Sequence, residues 1–320
     1  MARYKAYSDF LKDRYGEKVC KLPIALPVTC PNRDGTLACG GCTFCGDSGA
    51  GYEDLPDSLP VAEQIRINMA HIGPKYKAHK FIPYFQNFTN TYAEPRQFAL
   101  WAEEACRQSH VVGIDVSTRP DCIHEVYLDI LKELAARYHV DVTVELGLQS
   151  SNVHTLGKIE RHHTAAEFID AALRVGRYGF DLCAHVIADL PWDDRMDVEE
   201  TAKLISVLPV TQVKIHSLYI VKGSAMDRQY AAGEFSLLDM EEYVERVLLM
   251  IRYMRPDIVF QRLVGRAPES STVTVNWGRA WWVVRDRIEK ELVSRDIWQG
   301  DRCSYMDGSA VRHFIQKEGV

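Results

Sequence analysis

The chain has 320 residues, of which 47% are hydrophobic and 26% charged, which fits one large α/β domain or two smaller ones and excludes a disordered chain, a collagen or a coiled coil. The formal net charge of −6 excludes a generic polyanion binder of the histone type, although a local basic patch remains compatible with it. No apolar run approaches the about 20 residues of a membrane span, and the N-terminus has no apolar signal core. We therefore expect a soluble cytoplasmic protein with no membrane partner.

Short β-rich runs alternate with longer helical patterns along the chain. A first short run at 22–28 is followed by runs at 81–85, 111–117, 140–148, 180–190 and 211–221. The helical patterns between and after them lie at 94–110, 123–139, 164–178, 198–208 and 243–254. Repeated βα units predict a parallel sheet that is curled into a full or partial barrel.

No internal repeat, low-complexity tract or linker marks a domain boundary in the sequence. The composition and pattern change near both ends of the chain. We expect a helical N-terminal segment over 1–22, the barrel over 23–256, and a C-terminal extension over 257–320 that packs on the barrel.

Polar residues share one face of several predicted strands. Because side chains alternate along a strand, Asp115 and Glu145 oppose the apolar faces of their runs, as do His185, Lys214 and His216 in theirs. In a barrel whose apolar faces meet the outer helices, these polar side chains line the interior, which is costly unless a polar group fills it. Any one of them could be an internally satisfied hydrogen bonder, but their recurrence in adjacent strands favours a ligand in the lumen.

Four cysteines lie close together in the segment that follows the first run, at positions 30, 39, 42 and 45. Four thiolates can hold a tetrahedral zinc ion, whereas three can hold three irons of a 4Fe–4S cluster and leave the fourth iron open. The spacing alone does not choose between them. The chain has no second C-x2-C pair, and the lumen below the loop is polar, and both observations favour the cluster.

Nine short segments, spread in order over nearly the whole chain, match one known family. They are 10–12, 16–19, 30–36, 41–45, 85–92, 118–122, 145–150, 213–216 and 261–263. The chain in this respect resembles the radical S-adenosylmethionine enzymes of the YhcC/YtqA type, which are related to the radical domain of the Elongator catalytic subunit. The common C-x3-C-x2-C motif of the superfamily is absent.

The resemblance implies a partial (β/α)6 barrel with a 4Fe–4S cluster at its mouth, held by Cys30, Cys42 and Cys45. The family pattern requires no cysteine at position 39, so Cys39 is interpreted as a bystander, and the set Cys39, Cys42 and Cys45 is the alternative. The open iron would chelate S-adenosylmethionine, and one electron, from a donor such as flavodoxin or ferredoxin, would cleave it to methionine and a 5′-deoxyadenosyl radical.

The resemblance also suggests roles for individual side chains around S-adenosylmethionine. Phe44 matches a position near the adenine, Glu145 fits an acceptor for a ribose hydroxyl, and Arg161 matches an arginine that pairs with the methionine carboxylate. Gln86 and Asn87 follow the second strand, where the methionine amine binds in related enzymes. The alternatives are simple packing for Phe44 and a solvated helix-end charge for Arg161.

Four further polar residues are expected to reach the substrate or the far side of the adenosine. We expect His185 to contact the cofactor, and Lys214, His216 and Arg262 to contact the substrate. For the histidines, hydrogen bonding within the core is the alternative interpretation.

The resemblance to the Elongator subunit implies transfer RNA as the substrate, modified at the side chain of the wobble uridine. Basic residues in 1–22 and arginines among aromatics after residue 261 could form a rim that binds RNA, although such charges are more often solvated. One alternative is a radical enzyme that acts on a small metabolite or a protein. The other is a zinc-stabilised binding module without catalytic activity.

Overall fold

The structure is a computed structural model that describes residues 2–46 and 55–315. Residue 1 of the predicted N-terminal segment, residues 47–54 of the predicted barrel and residues 316–320 of the predicted extension lie outside the described residues.

Seven parallel strands form one curled sheet, a half-barrel, in the order β1-β2-β3-β4-β5-β6-β8. Two further short strands, β7 and β9, pair with each other in antiparallel fashion. The strands are β1 Val19–Ile24, β2 Lys80–Phe85, β3 Gly113–Thr118, β4 Asp141–Gln149, β5 Asp181–Ile187, β6 Gln212–His216, β7 Ile220–Val221, β8 Val259–Arg262 and β9 Thr272–Thr274.

Helices follow most strands of the large sheet and pack on its outer face. They are α1 Tyr7–Tyr15, α2 Val61–Tyr76, α3 Pro95–Cys106, α4 Glu125–Tyr138, α5 Val153–Lys158, α6 Ala165–Gly176, α7 Arg195–Val207, α8 Ala225–Ala231, α9 Met240–Tyr253, α10 Trp281–Ser294 and α11 Arg312–Ile315. None of these helices is long and apolar enough to cross a membrane.

The predicted partial parallel barrel is confirmed, but it has seven parallel strands rather than the six of the expected (β/α)6 form. The additional strand β8 has only four residues and half of them are polar, so it lacks the alternation that marks a strand in sequence. The predicted run at 211–221 is divided into β6 and β7.

The ends of the sheet cross the predicted segment boundaries. Strand β1 begins at Val19, inside the segment 1–22, and strand β8 lies beyond residue 256 and pairs with β6. The division of the chain into three segments stays a prediction.

The main apolar core lies between the outer face of the sheet and the helices. In β4, Val144, Leu146 and Leu148 are fully buried there, together with Leu128 of α4 and Phe168 of α6. Their opposite neighbours in the strand are polar residues or glycine, so the predicted alternation holds. The inner face of the sheet is therefore left to polar side chains, as the sequence indicated.

The segment that connects β8 to α10 is fastened to the loop after β6 at the mouth of the half-barrel. Ser217 Oγ donates to Asn276 Oδ1 at 2.6 Å, the Gly265 amide donates to Ser217 Oγ at 3.2 Å, and Asn276 Nδ2 donates to the Gly265 carbonyl at 3.1 Å. This closed set of bonds holds the connecting segment at the carboxyl ends of the strands.

Candidate active site

A cavity of about 710 Å³ opens at the carboxyl ends of the strands, where barrel enzymes place their active sites. Ten of the twelve predicted site residues line it. They are Cys30, Cys42, Phe44, Cys45, Gln86, Arg161, His185, Lys214, His216 and Arg262. Asn87 and Glu145 do not line it.

Three of the four clustered cysteines face this cavity. Cys30 and Cys42 are buried and Cys45 is partly buried, whereas Cys39 is exposed and lies outside the cavity wall. Cys39 instead pairs through its backbone with Asp34 at the outer turn of the loop. The folding of the loop therefore separates Cys39 from the other three thiols.

The loop that carries the thiols is held by hydrogen bonds to its own backbone and to neighbouring side chains. The Gly41 amide donates to the Asn32 carbonyl at 2.8 Å, and Gly41 has a φ of 87°, which favours glycine. Asn32 Nδ2 lies 3.5 Å from Cys42 Sγ, and Arg33 Nη1 lies 3.4 Å from Cys45 Sγ. Burial raises the pKa of the Cys45 thiol to about 11, and the neighbouring Cys42 adds to the shift.

Two buried arginines that line the cavity each have a buried nitrogen without a hydrogen-bond partner among the described residues. Arg161 Nη1 lies 3.4 Å from Cys42 Sγ and its Nη2 donates to the Gly147 carbonyl at 2.9 Å, while the buried Nε has no partner among the described residues. Arg119 is held by a two-point contact with Asp121, at 2.8 and 2.7 Å, and its buried Nη1 also has no partner there. Buried donors without acceptors are costly, so these guanidinium groups fit a bound anion.

The surroundings of the thiols fit an anionic iron–sulfur cluster better than a zinc ion. A tetrahedral zinc site with Zn–S bonds of about 2.3 Å requires sulfur atoms about 3.8 Å apart. Among residues 2–46 and 55–315, the one group of three metal-binding residues whose ligand atoms all lie within 4.8 Å of one another contains Glu145, Cys183 and His185, not the clustered cysteines. A closed site of four cysteines is therefore not formed.

The group around Glu145 is also a poor cation site, because two ammonium groups already occupy it. Glu145 is fully buried, and Oε1 accepts from Lys21 Nζ at 2.7 Å, while Oε2 accepts from Lys214 Nζ at 2.5 Å and lies 2.7 Å from His185 Nε2. Lys21 also pairs with Asp115 at 2.5 Å. Burial opposes ionisation of Glu145, but Lys21 and Lys214 hold its pKa well below the usual range.

These contacts form a charged floor, which we define as Lys21, Asp115, Glu145 and Lys214. It fills the lumen below the cavity. Both carboxylate oxygens of Glu145 have partners within the protein, so this arrangement does not support the predicted contact between Glu145 and a ribose.

Asn87 is likewise directed at the protein rather than at the cavity. Its Oδ1 accepts from the Leu26 amide at 3.2 Å and its Nδ2 donates to the Leu26 carbonyl at 3.2 Å. Asn87 thereby fastens the chain before the cysteine loop to the end of β2. Its predicted contact with the methionine amine is not supported by this geometry.

The far wall of the cavity is formed by the last strands of the sheet. His185 and His216 lie with their rings 5.3 Å apart, and Arg262 Nη2 lies 2.9 Å from His216 Nδ1. Burial lowers the pKa of His185 to about 4 and that of Lys214 to about 8, and it holds the pKa of His216 well below the usual range. Both imidazoles are therefore neutral near pH 7.

Several residues that line the cavity were not predicted as site residues from the sequence. Arg119 directly follows β3, so its place after a strand end was the signal that could have identified it. Arg266, Trp281 and Trp282 lie in the segment after β8, and only their mixture of basic and aromatic residues pointed to a surface there.

The chain is similar to one protein-family model and to two relatives of nearly the same length. The Radical_SAM C-terminal domain matches residues 210–294. The uncharacterized protein YtqA of Bacillus subtilis is 35% identical over 298 residues, which are 93% of this chain and 92% of that protein. Protein YhcC of Escherichia coli K12 is 31% identical over 88% of this chain and 90% of its own length.

The chain also shows one more distant sequence similarity and two structural similarities at low sequence identity. A tRNA uridine(34) acetyltransferase of Methanocaldococcus jannaschii is 22% identical over 68% of this chain and 34% of that protein. The structure of Elp3 from Methanocaldococcus infernus superposes with a TM-score of 0.65 at 16% identity, and the match spans 88% of this chain and 64% of Elp3. Methylornithine synthase superposes with a TM-score of 0.52 at 13% identity, over 88% of this chain and 84% of its own.

The buried histidines make the folded protein sensitive to acid. The folded-state pKa of His185, about 4, lies below its ordinary value of 6.5, so the folded state binds fewer protons than the unfolded state between these values. We expect the associated stability to be complete above about pH 6.5 and to be lost as the pH falls toward 4, by roughly 3 kcal/mol for this residue.

Urea unfolding of the metal-free protein at a series of pH values measures this effect. The variant His185→Gln should show a shallower decline of the unfolding free energy over the same interval. A wild-type stability that does not change between pH 6.5 and 4 would contradict the assignment of a neutral His185.

Proposed function

This chain belongs to the YhcC/YtqA family of radical S-adenosylmethionine enzymes, and from that premise we propose that it modifies transfer RNA at the side chain of the wobble uridine. Enzymes of this kind use a 4Fe–4S cluster and S-adenosylmethionine. When bound, the cluster supplies the electron that cleaves S-adenosylmethionine into methionine and a 5′-deoxyadenosyl radical. An electron donor such as flavodoxin or ferredoxin and a cytoplasmic location are parts of the proposal.

The cluster is assigned to Cys30, Cys42 and Cys45. These thiols share the cavity wall, and Arg33 and Arg161 lie within 3.4 Å of two of the sulfur atoms. The positive groups favour thiolate ligands and the negative charge of a cluster. The exposed Cys39 would take no part, and the three thiols would hold the cluster with one iron open to S-adenosylmethionine.

The buried arginines hold the amino-acid end of S-adenosylmethionine in this proposal. Arg161 and Arg119 both line the cavity and both have an unused donor, which suits a carboxylate. Phe44 lines the same wall and packs against the apolar cluster of Leu156 and Ile159, so its ring offers a flat apolar surface to the adenine. The charged floor closes the lumen beneath them and limits the entry of water.

The rim of the cavity is the observation that carries the RNA assignment. We define the rim as Arg266, Arg279, Trp281 and Trp282, all of which line the cavity. The Arg266 guanidinium lies 3.8 Å from the centre of the Trp281 ring, and the Trp282 side chain is 52% exposed beside it. Basic groups combined with exposed aromatic rings are typical of surfaces that bind single-stranded RNA bases by stacking.

The distant similarity to the archaeal tRNA uridine(34) acetyltransferase supports the same substrate. This similarity covers only about a third of that enzyme, so the substrate is argued for this chain from its rim. The net charge of −6 favours the alternative, a radical enzyme that acts on a small metabolite or a protein. RNA binding and nucleoside analysis distinguish the two.

Replacement of the cysteines tests the cluster assignment. In anaerobically prepared protein we expect about four irons and four sulfides per chain and a brown colour. Cys30→Ala, Cys42→Ala and Cys45→Ala should each lose most of the iron, because each removes a ligand, whereas the matched control Cys39→Ala should retain it. Loss of iron in Cys39→Ala with retention in Cys30→Ala would instead establish Cys39, Cys42 and Cys45 as the ligands.

Replacement of Gly147 tests the role of Arg161. A Cβ atom at position 147 would lie 2.6 Å from Arg161 Nη2 and 2.7 Å from Gln149 Nε2, so Gly147→Ala must displace the guanidinium. We expect an affinity for S-adenosylmethionine at least tenfold lower by equilibrium dialysis, since a charged hydrogen bond contributes about 1.5 to 3 kcal/mol. Gly157→Ala, where no atom lies within 4 Å, is the control and should bind normally. Equal affinities in all three proteins would remove Arg161 from the site.

Replacement of Trp282 tests the substrate. Because stacking of one base on an aromatic ring contributes about 1 to 3 kcal/mol, we expect Trp282→Ala to bind an anticodon stem-loop RNA about tenfold more weakly by fluorescence anisotropy. Trp298→Ala is the matched control, because Trp298 also contacts an arginine, Arg3, but lies outside the cavity wall. Transfer RNA from a deletion strain should lack a modified wobble uridine by mass spectrometry, and an unchanged nucleoside profile would count against this substrate.

A further inference from the structure

An irregularity in strand β8 turns two consecutive side chains into the lumen. Val213 of β6 pairs with Phe260, but the next residue, Lys214, pairs with Arg262, so Gln261 is an extra residue in the ladder. Gln261 reaches inward, where its Oε1 accepts from Lys21 Nζ at 2.8 Å. Arg262 lines the cavity. Bulges of this kind redirect side chains and are common beside active sites.

The inward guanidinium of Arg262 forms no ion pair with a carboxylate among residues 2–46 and 55–315. Its Nη2 instead contacts both ring nitrogens of His216, at 2.9 and 3.1 Å. Its buried Nε has no hydrogen-bond partner there either. Burial first, and then the guanidinium itself, keep His216 neutral, so the imidazole does not supply the missing charge.

The charged groups beneath Arg262 are balanced among themselves. Lys21 and Lys214 are paired with Asp115 and Glu145. The positive charge of Arg262 therefore remains available to a molecule that enters the cavity. A partly buried guanidinium that lines the cavity and has no acid partner in the described structure fits an oxyanion, which an arginine can bind through two parallel hydrogen bonds.

The position of Arg262 along the chain connects it to the rim. Gly265 and Arg266 follow it closely, and the bonds of Gly265 to Ser217 and Asn276 hold this stretch against the loop after β6. Arg262 and the rim thus belong to one cavity wall, which a nucleotide that passes the rim would contact. S-adenosylmethionine, by contrast, has Arg161 and Arg119 near the thiols for its carboxylate.

We propose that Arg262 binds the phosphate group of the uridine nucleotide that enters the cavity. This assignment rests on the proposed function, because it takes the substrate to be a nucleotide of transfer RNA. It makes Arg262 a substrate-binding residue.

The salt dependence of RNA binding tests the assignment. The probe is an anticodon stem-loop RNA with an unmodified wobble uridine, titrated by anisotropy against reconstituted protein at several salt concentrations. Arg262→Gln should bind it about tenfold more weakly and should reduce the slope of log affinity against log salt by about 0.7 to 1, the value of one phosphate contact. Arg262→Lys should keep the slope and lose part of the affinity, because it retains the charge but not the two-point contact.

Two controls separate this effect from misfolding and from cofactor binding. Arg177→Gln removes an arginine that pairs with Glu125 on the outer helices, and it should leave both affinity and slope unchanged. All variants should bind S-adenosylmethionine as the wild type does. Unchanged RNA affinity and slope in Arg262→Gln would overturn the proposal, and so would a loss confined to S-adenosylmethionine, which would assign Arg262 to the cofactor.

A second measurement distinguishes failure of this proposal from failure of the proposed function. Calorimetric titration compares uridine 5′-monophosphate with uridine, and the wild type should prefer the phosphorylated form by about tenfold, whereas Arg262→Gln should not distinguish them. If the wild type binds no stem-loop RNA but shows this preference, the phosphate site stands and the RNA substrate fails. If the wild type shows no preference for the phosphorylated form, the phosphate site is overturned whatever the RNA result.

Discussion

The balance of buried charges in the half-barrel is the constraint on which the rest of the structure depends. Removing an ion from water costs several kcal/mol, so a polar lumen is stable only when its charges are paired and hydrogen-bonded. Here Lys21, Asp115, Glu145 and Lys214 contribute two charges of each sign from four different strands. Their mutual contacts fill the lower lumen with protein. The space for ligands is thereby confined to the carboxyl ends of the strands, directly beside the cysteine loop.

Above this floor, Arg161 and Arg262 form no ion pair with an acid in the described structure, whereas Arg119 is paired with Asp121. Arg119, Arg161 and Arg262 each keep a buried nitrogen without an acceptor in the described structure, and all three line the cavity. The paired charges of the floor stabilise the fold. The positive groups above it line the space that a ligand would fill. A net charge of −6 does not by itself exclude the binding of anions, since the local field in a cleft, not the total charge, governs their entry.

Sequence patterns predicted the face on which each strand residue lies, but not its depth in the barrel. The alternation correctly placed Glu145, His185 and Lys214 on the inner face, because the period of two is a property of any strand. It could not show that Glu145 lies in the floor and His185 at the cavity, since depth depends on the tilt of the strands. Asn87 shows a related limit, because its side chain hydrogen-bonds to the backbone amide and carbonyl of Leu26 rather than facing the cavity.

The bulge in β8 brings Arg262 to the cavity, and no pattern in the sequence indicated this irregularity. In a regular strand Gln261 and Arg262 would face opposite sides of the sheet, and one of them would enter the apolar layer beneath the helices. The extra residue allows both to face the lumen, one completing the floor through Lys21 and the other lining the cavity. The last strand of the barrel therefore serves stability and ligand binding with neighbouring residues, and the irregularity in its pairing is the structural condition for both.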